Sequence, residues 1–568
     1  MSDSATAIQA HESESPAELP HGPRTGIELH VGPAATSRLV RDLLAAAPAL
    51  ADFYAAHPFD AEAYRRKADA VHARLPAAKR NVLREALRPS NAEAGAKLDR
   101  ILNGEGVLVT TGQQAGLFGG PTYTISKILS AIRLAESLEG VLGEPCLAIF
   151  WVASDDHDWD EVNHTFLLDA EQRVHRVTVA ARDGTPDVPM SERMLGAGIE
   201  AALVAFVERL PRSEFADSVE TLLRSAYRAD TTVSNAFGNL LHGLFRDMEL
   251  AFVDPASAAL KRAGAPIMAN ELRNAEAHAR LLANQSERLV AAGYHAQVAV
   301  AEDAANVFFH DTQGRERLVR DGDGWLLRRT RRMIADQEVH AMLEADPTRF
   351  SPNVFLRPVV ESAVLPTIAY VGGPAEIAYF AQLGCLFPAH GIEPAIAVPR
   401  FSVTVVEGKV RKVLDRFGLT IGDFRIPLHE LTTRMIREGL PDEVTGPLAV
   451  MEATIRREYD RLTGGAESID PTLGGWLAGQ RNGILGQLQA AEKKITSHRK
   501  KRSEIETEQL RKAASNLQPD GVAQERALNP LPLVARYGAG ILADMAEAIQ
   551  YPLPGPSPEG WNGVRCSD

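Results

Sequence analysis

An uninterrupted apolar run that ends abruptly in acid constrains this chain more than any other feature. Residues 146–153, CLAIFWVA, carry no charge and are followed at once by SDDHDWDEVNH. A strand with one wet face alternates apolar and polar residues. A strand covered on both faces reads as a continuous apolar run, the pattern of a parallel sheet between helices. The segment in front completes the unit. In GVLVTTGQQAGLFGGPTYTISKILSAIRLAESL, Val107–Val109 predict a short strand, the glycines and Pro121 a loop, and Ile125–Leu138 a helix. Strand, loop, helix, strand is a βαβ unit, and ligands of such sheets gather where the strands leave the core at their carboxyl ends. Both TTGQQAGLFGGP and SDDHDWDEVNH begin at such ends.

The pattern from Ser37 to about Leu98 is helical. The alternating run EQRVHRVTVA and a helical stretch make 171–218 a small insertion, after which a helical segment leads into the core strand of MELAFVDP. QVAVAEDAANVFFHD and ERLVRDGDGWLLRRT read as short strands joined by Gly/Asp turns, so 271–345 is a second insertion. Core character resumes at FLRPVVESAVLPTIAYVGGPAEIAYFAQLGCLF and AIAVPRFSVTVV. Residues 424–518 are mainly helical. Met451, Ile455, Tyr459 and Leu462 give one apolar face, and Ile484, Leu488, Ala491, Ile495, His498, Arg502 and Ile505 follow the 4,3 spacing of a coiled-coil seam. His498 and Arg502 weaken that seam, so an antiparallel helical pair with polar interruptions is expected rather than a continuous zipper.

At 568 residues the chain exceeds one ordinary core, and its 45% apolar and 24% charged residues are those of a globular protein of three or four units. A net charge of -13 disfavours a broad nucleic-acid surface. Three scattered cysteines form no CxxC pair, which argues against a disulfide framework and structural zinc. Cys146 and Cys385 are expected as buried thiols, and Cys566 lies in a frayed tail. The stretch HESESPAELPHGP reads as a flexible tail over 1–30 rather than a signal core, and no apolar run reaches membrane-spanning length, so the expected compartment is the cytoplasm.

TTGQQAGLFGGP matches neither GxGxxG nor the Walker pattern, which argues against a standard dinucleotide site or P-loop. Thr111, Gly112, Gly119 and Gly120 could bring backbone N–H groups to an anion, or the glycines could simply make a tight turn. Gln113, Gln114 and Tyr123 add donors and acceptors. Lys127 is either an anion clamp or an exposed helix lysine. In the acidic stretch, Asp155, Asp156, His157, Asp158, Asp160, Glu161 and His164 must face solvent, a cation or a basic ligand, because buried like charges destabilise a fold. His157 with Asp156 or Asp158 beside it suits a general base toward an amine, and an aspartate could instead orient that amine or hold Mg2+. HDWDEVNH is not the HExxH of zinc hydrolases. Arg357 and Arg400 are candidate carboxylate or phosphate clamps, Asn353 an orienting group, and the turn Gly372, Gly373, Pro374 precedes Glu376, although core ion pairing would explain Arg357 and Glu376 equally well. HRKKRSE is a locally basic, solvated helix face.

Taken together, TTGQQAGLFGGPTYTISK, FWVASDDHDWDEVNH, LRPVVESAVLPTIAYVGGPAEIAY, VPR and QERALNPLPLVARYG resemble the BshC family, the cysteine ligases assigned to bacillithiol biosynthesis, in order and over residues 30–550. The resemblance implies an α/β fold: a Rossmann-like parallel-sheet core with connective insertions and a C-terminal antiparallel helical coiled-coil arm. The core would comprise 31–170, 219–270 and 346–423, with 171–218 and 271–345 inserted, 424–518 as the arm and 519–568 packing on the core. It further implies a homodimer and a last biosynthetic step that joins the carboxyl group of L-cysteine to the amine of glucosaminyl-malate. Gln113, Gln114, Tyr123, Asp156, His157, Asp158, Arg357 and Glu376 would surround the pocket. The family core is similar to that of class I aminoacyl-tRNA synthetases, yet neither a HIGH nor a KMSKS string is present. ATP is expected, because direct amide formation needs an activated carboxyl group, and Mg2+ is its candidate counter-ion. His157 would assist proton transfer, with Lys127 or Arg357 stabilising charge. The competing readings are a nucleotidyltransferase or acyl-adenylate synthetase for another metabolite, and a nucleotide-binding scaffold without turnover.

Overall fold

The structure, a computed structural model, describes residues 26–180, 187–311, 314–502, 504–561 and 563–566, with the backbone alone at 499–502. Positions 1–25 of the expected tail and the side chains of Arg499, Lys500, Lys501 and Arg502 lie outside the described residues.

A six-stranded sheet forms the centre, built from β1 (Leu87–Pro89), β2 (Val107–Gln113), β3 (Cys146–Val152), β4 (Leu250–Val253), β5 (Thr367–Gly372) and β6 (Ile396–Pro399). Its order is β6-β5-β2-β3-β4-β1, parallel throughout except for the antiparallel edge strand β1. The chain steps outward from β2 to β3 and β4, then returns to the other side of β2 for β5 and β6. Strand order therefore reverses between β2 and β5, which opens a crevice at their carboxyl ends.

The apolar run is explained by burial on both faces. Cys146, Ala148, Phe150 and Val152 of β3 join the core around α1 (Tyr123–Leu142), while Leu147, Ile149 and Trp151 pack toward Leu98, Ile101 and Leu102 on the opposite side. Strand β2 extends four residues beyond the expected Val107–Val109. Its polar end is tolerated because Thr111 Oγ1 donates to Val371 O at 2.8 Å and the Thr110 hydroxyl donates to Glu361.

From β4 the chain enters α2 (Ala258–Ala291), which departs from helical geometry at Asn274, and then a five-stranded antiparallel sheet. That sheet runs in the order Arg332–Ala335, Gly324–Leu327, Gly314–Asp321, Ala304–Asp311, Phe350–Pro352. The helix α3 (Arg357–Val364) leads into β5, and α4 (Pro374–Leu383) follows it.

The C-terminal arm pairs α5 (Asp442–Glu467) with α6 (Leu473–Arg502), and α7 (Glu504–Leu517) returns to bury Leu510, Ala513 and Leu517 against Val406, Val410 and Leu414. The inner face of α6 differs from the expected seam. Leu477, Leu485 and Thr496 are buried, whereas Ile484 and Ile495 are 38% and 39% exposed. Polar residues with partners take the place of seam residues: Arg481 meets Asp460 of α5 at 2.7 Å, and Glu492 pairs with Arg437. On α5, Ile455 and Tyr459 are half-buried, but Met451 and Leu462 are exposed.

One cysteine expectation is corrected. Cys385 is joined to Cys566 across 181 residues, with Cα atoms 5.5 Å apart, so Cys385 is not a free thiol and Cys566 is anchored. Nothing local in the sequence marks that pairing. Cys146 is a free buried thiol on β3. Among the described residues no helix is long and apolar enough to cross a membrane.

Candidate active site

A cleft of about 640 Å³ occupies the crevice at the reversal point. Its floor is the carboxyl ends of β2, β3 and β5, one side is the acidic loop after β3, and the facing wall is the five-stranded sheet, which contributes Asn306, Phe308, Arg315 and Arg317. A volume of that size suits a small-molecule ligand.

Gly112 is required here by close approach: a Cβ would lie 2.8 Å from the Trp151 carbonyl oxygen. Its own carbonyl accepts from Lys127 Nζ at 2.8 Å. Lys127 sits on α1, four residues after Tyr123, and is turned inward rather than exposed. It also donates to Gln113 Oε1 at 2.9 Å and forms an ion pair with Glu376, and Gln113 Nε2 donates to Tyr123 Oη at 3.1 Å. Glu376 is the third residue of α4, where its carboxylate accepts from Gly373 N at 2.8 Å and from the Tyr370 hydroxyl. Burial alone would raise the Glu376 pKa, but the Lys127 ammonium and these donors hold it below the usual carboxylate range. Lys127 and Glu376 thus lock β2 to α4 across the reversal point.

In the acidic loop, Asp156 accepts from Gln114 Nε2 at 2.6 Å and from His157 N at 2.8 Å, and lies 3.9 Å from Arg315. Burial opposes its ionisation, but these donors and the Arg315 charge keep its pKa low. His157 responds in a way that matters chemically. Burial, together with the Arg315 guanidinium 3.4 Å from Nδ1, outweighs the nearby aspartates and lowers its pKa. At neutral pH the ring is uncharged and can accept a proton. Burial raises the Glu161 pKa in the same cleft. Asp155 is engaged by Lys261 of α2 at 2.7 Å.

Across the cleft, Arg357 at the start of α3 donates to Glu361 at 2.7 Å and to Tyr379 Oη at 3.2 Å, with its guanidinium 5.0 Å from the Tyr370 ring centroid. Asn353 Oδ1 accepts from Phe355 N and Leu356 N at 2.9 and 3.0 Å, and its Nδ2 donates to Asn306. Arg400 is buried in a two-pronged pair with Glu525, both contacts at 2.8 Å. Two cations remain without an ion pair among the described residues: Arg317, beside Phe308, and Arg526, beside Tyr123.

Of the residues singled out by sequence, Gly112, Gln113, Gln114, Tyr123, Lys127, Asp155, Asp156, His157, Glu161, Asn353, Arg357, Gly373, Pro374, Glu376 and Arg400 line this one cleft. Thr111, Gly119, Gly120, Asp158, Asp160, His164 and Gly372 do not. Thr111 is buried against β5, and Gly372 packs where a Cβ would meet Glu376 at 3.0 Å. Asp158 turns away to cap Trp159–Val162 through Glu161 N at 3.3 Å. Gly119 and Gly120 follow Phe118 with φ of 92° and 69°, forming a turn whose carbonyls are held by Asn529 Nδ2. Their conformation answers a backbone need. The sequence reading missed Arg315, Arg317, Arg526, Tyr370 and Tyr379. The two arginines of the five-stranded sheet stand in an alternating strand that gives no local sign of facing the cleft, and Arg526 lies within the QERALNPLP string, where nothing marks it apart.

Comparison with known proteins agrees with this architecture. The family model "Bacillithiol biosynthesis BshC, N-terminal Rossmann-like domain" matches residues 28–401, and "Bacillithiol biosynthesis BshC, C-terminal coiled-coil domain" matches residues 403–552. Relatives named "Putative cysteine ligase BshC" include one from Salinibacter ruber, 33% identical over 88% of this chain and 92% of its own. Another, from Solibacter usitatus, is 33% identical over 91% and 95%, and one from Koribacter versatilis is 31% identical over 82% and 86%. With both domains matched in order and the cleft at the reversal point of its parallel sheet, the chain belongs to the bacillithiol biosynthesis BshC family.

Proposed function

We propose that this enzyme is a ligase that joins the carboxyl group of L-cysteine to the amine of glucosaminyl-malate, the last step of bacillithiol biosynthesis, in the cytoplasm. The observation that carries the mechanism is the uncharged His157 held beside Asp156 in a cleft that also contains Arg317 and Arg526, which have no ion pair among the described residues. ATP would supply the carboxyl activation that direct amide formation lacks, and the donor set suits it: Arg317 and Arg526 can each meet a phosphate oxygen. With Asp156 turned to the amine, Glu161 is the carboxylate of the acidic loop that would be left for Mg2+. Asp156 orients the incoming amine, His157 takes the proton that frees its nitrogen lone pair to attack the activated carbonyl carbon, the second N–H proton is lost to solvent as the amide forms, and Arg317 and Arg526 would stabilise the phosphate or nucleotide released. Lys127 is already matched by Glu376 and Arg400 by Glu525, so these two position the floor of the cleft rather than clamp substrate.

Two copies pair through the arm in this reading. Support comes from apolar side chains on its outer surface, including Val450, Met451, Leu462 and Trp476, which are 51–65% exposed.

The reaction is tested by mass spectrometry of purified protein with ATP, Mg2+, cysteine and glucosaminyl-malate. A product of their combined mass less one water, dependent on ATP, is expected, and the by-product identifies release of AMP or ADP. No product from folded protein would overturn the substrate assignment.

A further inference from the structure

Behind the cleft wall, three side chains of metal-binding type converge. Glu271 and His278 stand seven residues apart on α2, two helical turns along one face, on either side of the irregularity at Asn274. His390 reaches them from the end of the short helix Leu386–Ala389. Glu271 Oε2 lies 2.6 Å from His278 Nδ1 and 3.4 Å from His390 Nε2, and one ligand atom from each residue falls within 4.8 Å of the others. The side chains of Glu271, His278 and His390 are 0%, 4% and 0% exposed.

We infer that Glu271, His278 and His390 form a binding site for a divalent transition metal, Zn2+ foremost, that braces the wall of the active-site cleft. A second observation points to a ligand. His390 Nε2 is fully buried and aimed at Glu271 Oε2 3.4 Å away, yet makes no hydrogen bond of good geometry among the described residues. A metal ion bound between this nitrogen and the carboxylate would satisfy it fully. Two imidazoles and one carboxylate are a zinc donor set that leaves a fourth position for water. Around a tetrahedral ion with bonds near 2.0–2.1 Å, ligand atoms stand about 3.3 Å apart, so the cluster needs only small side-chain shifts. The His390 ring is also held from outside the cluster, with Asn270 Nδ2 3.0 Å from its Nδ1.

The site is outside the cleft but connected to it. Glu271 Oε1 accepts from Asn306 N at 3.0 Å and from Asn306 Nδ2 at 2.8 Å. Asn306 Oδ1 accepts from Asn353 Nδ2 at 2.7 Å, and the Asn353 carbonyl accepts from Arg357 N at 2.9 Å. A metal ion holding Glu271 would therefore fix Asn306 and Asn353, which line the cleft, and the start of α3.

The test uses tag-free full-length protein, stripped by a chelator and re-equilibrated with Zn2+. One bound ion per chain is expected by elemental analysis, with a rise in Tm on loading. In His278→Gln and His390→Gln, chosen to keep side-chain bulk and leave Glu271 in place, competition with a chromophoric chelator should show a loss of affinity beyond the 10–100-fold typical of losing an outer-shell partner. Co2+ loading should give the absorption of a tetrahedral nitrogen–oxygen site in the unsubstituted protein alone. The inference is overturned if the unsubstituted protein binds no Zn2+, or if both variants bind it as tightly as the parent.

Discussion

Single residues of the cleft act through their partners more than through their own type. Lys127 illustrates this: Lys127→Met would leave Glu376 buried and unpaired, so a loss of about 3–5 kcal/mol in urea unfolding is expected. The pH dependence of that pair has a definite sign. Because the folded pKa of Glu376 is depressed, its stabilisation is present above the unfolded carboxylate value and lost as pH falls through the folded one. For His157 the controlling partner is Arg315. Arg315→Met removes the charge that helps lower the His157 pKa, so the acid limb of the pH–rate profile should move to higher pH. His157→Asn should cost about 10²–10⁴-fold in kcat with little effect on folding. An unchanged kcat would remove His157 from the mechanism.

At the scale of elements, β3 is the strand on which the fold depends. Phe150 is fully buried among Phe237 and Phe252, and Phe150→Ala is expected to cost about 3–5 kcal/mol, read as a lowered denaturation midpoint. Its strand was legible because burial on both faces leaves a continuous apolar run, and α1 because its apolar residues repeat at helical spacing. The end of β2 was less legible. Thr110 and Thr111 look like loop residues until the carboxylate of Glu361 and the Val371 carbonyl accept their hydroxyl protons. The arm shows the opposite failure. Its helices were readable, but the inner face was assigned by apolar spacing, whereas Arg481 and Glu492 occupy it because Asp460 and Arg437 meet them there. Periodicity reports which residues are apolar, and ion partners on another helix decide which way a helix is turned.

The molecule as a whole is tied together by segments far apart in sequence. Glu525 holds Arg400 from the C-terminal region, Asn529 holds the turn at Phe118 and Gly120, and Cys566 is tied to Cys385. The arm projects from this body with its apolar outer face uncovered. Deleting 440–505 should therefore reduce the number of chains per particle, measured by light scattering, while the cleft residues stay in place. An unchanged number of chains per particle would argue against self-pairing through the arm.

Sequence alone determined the class of the core and where its ligands gather, because an apolar run ending in polar residues fixes both the strand and its exit. It also brought most of the polar side chains that line the cleft to notice, since carboxylates and glutamines beside strand ends have few purely structural uses. Tertiary structure alone decided their states. Whether Lys127 is exposed or locked, whether His157 is charged, whether Arg400 is free, and which arginines remain unpaired all depend on neighbours tens to hundreds of residues away. Charge and burial are properties of the assembled surroundings, and no local pattern in the chain encodes them.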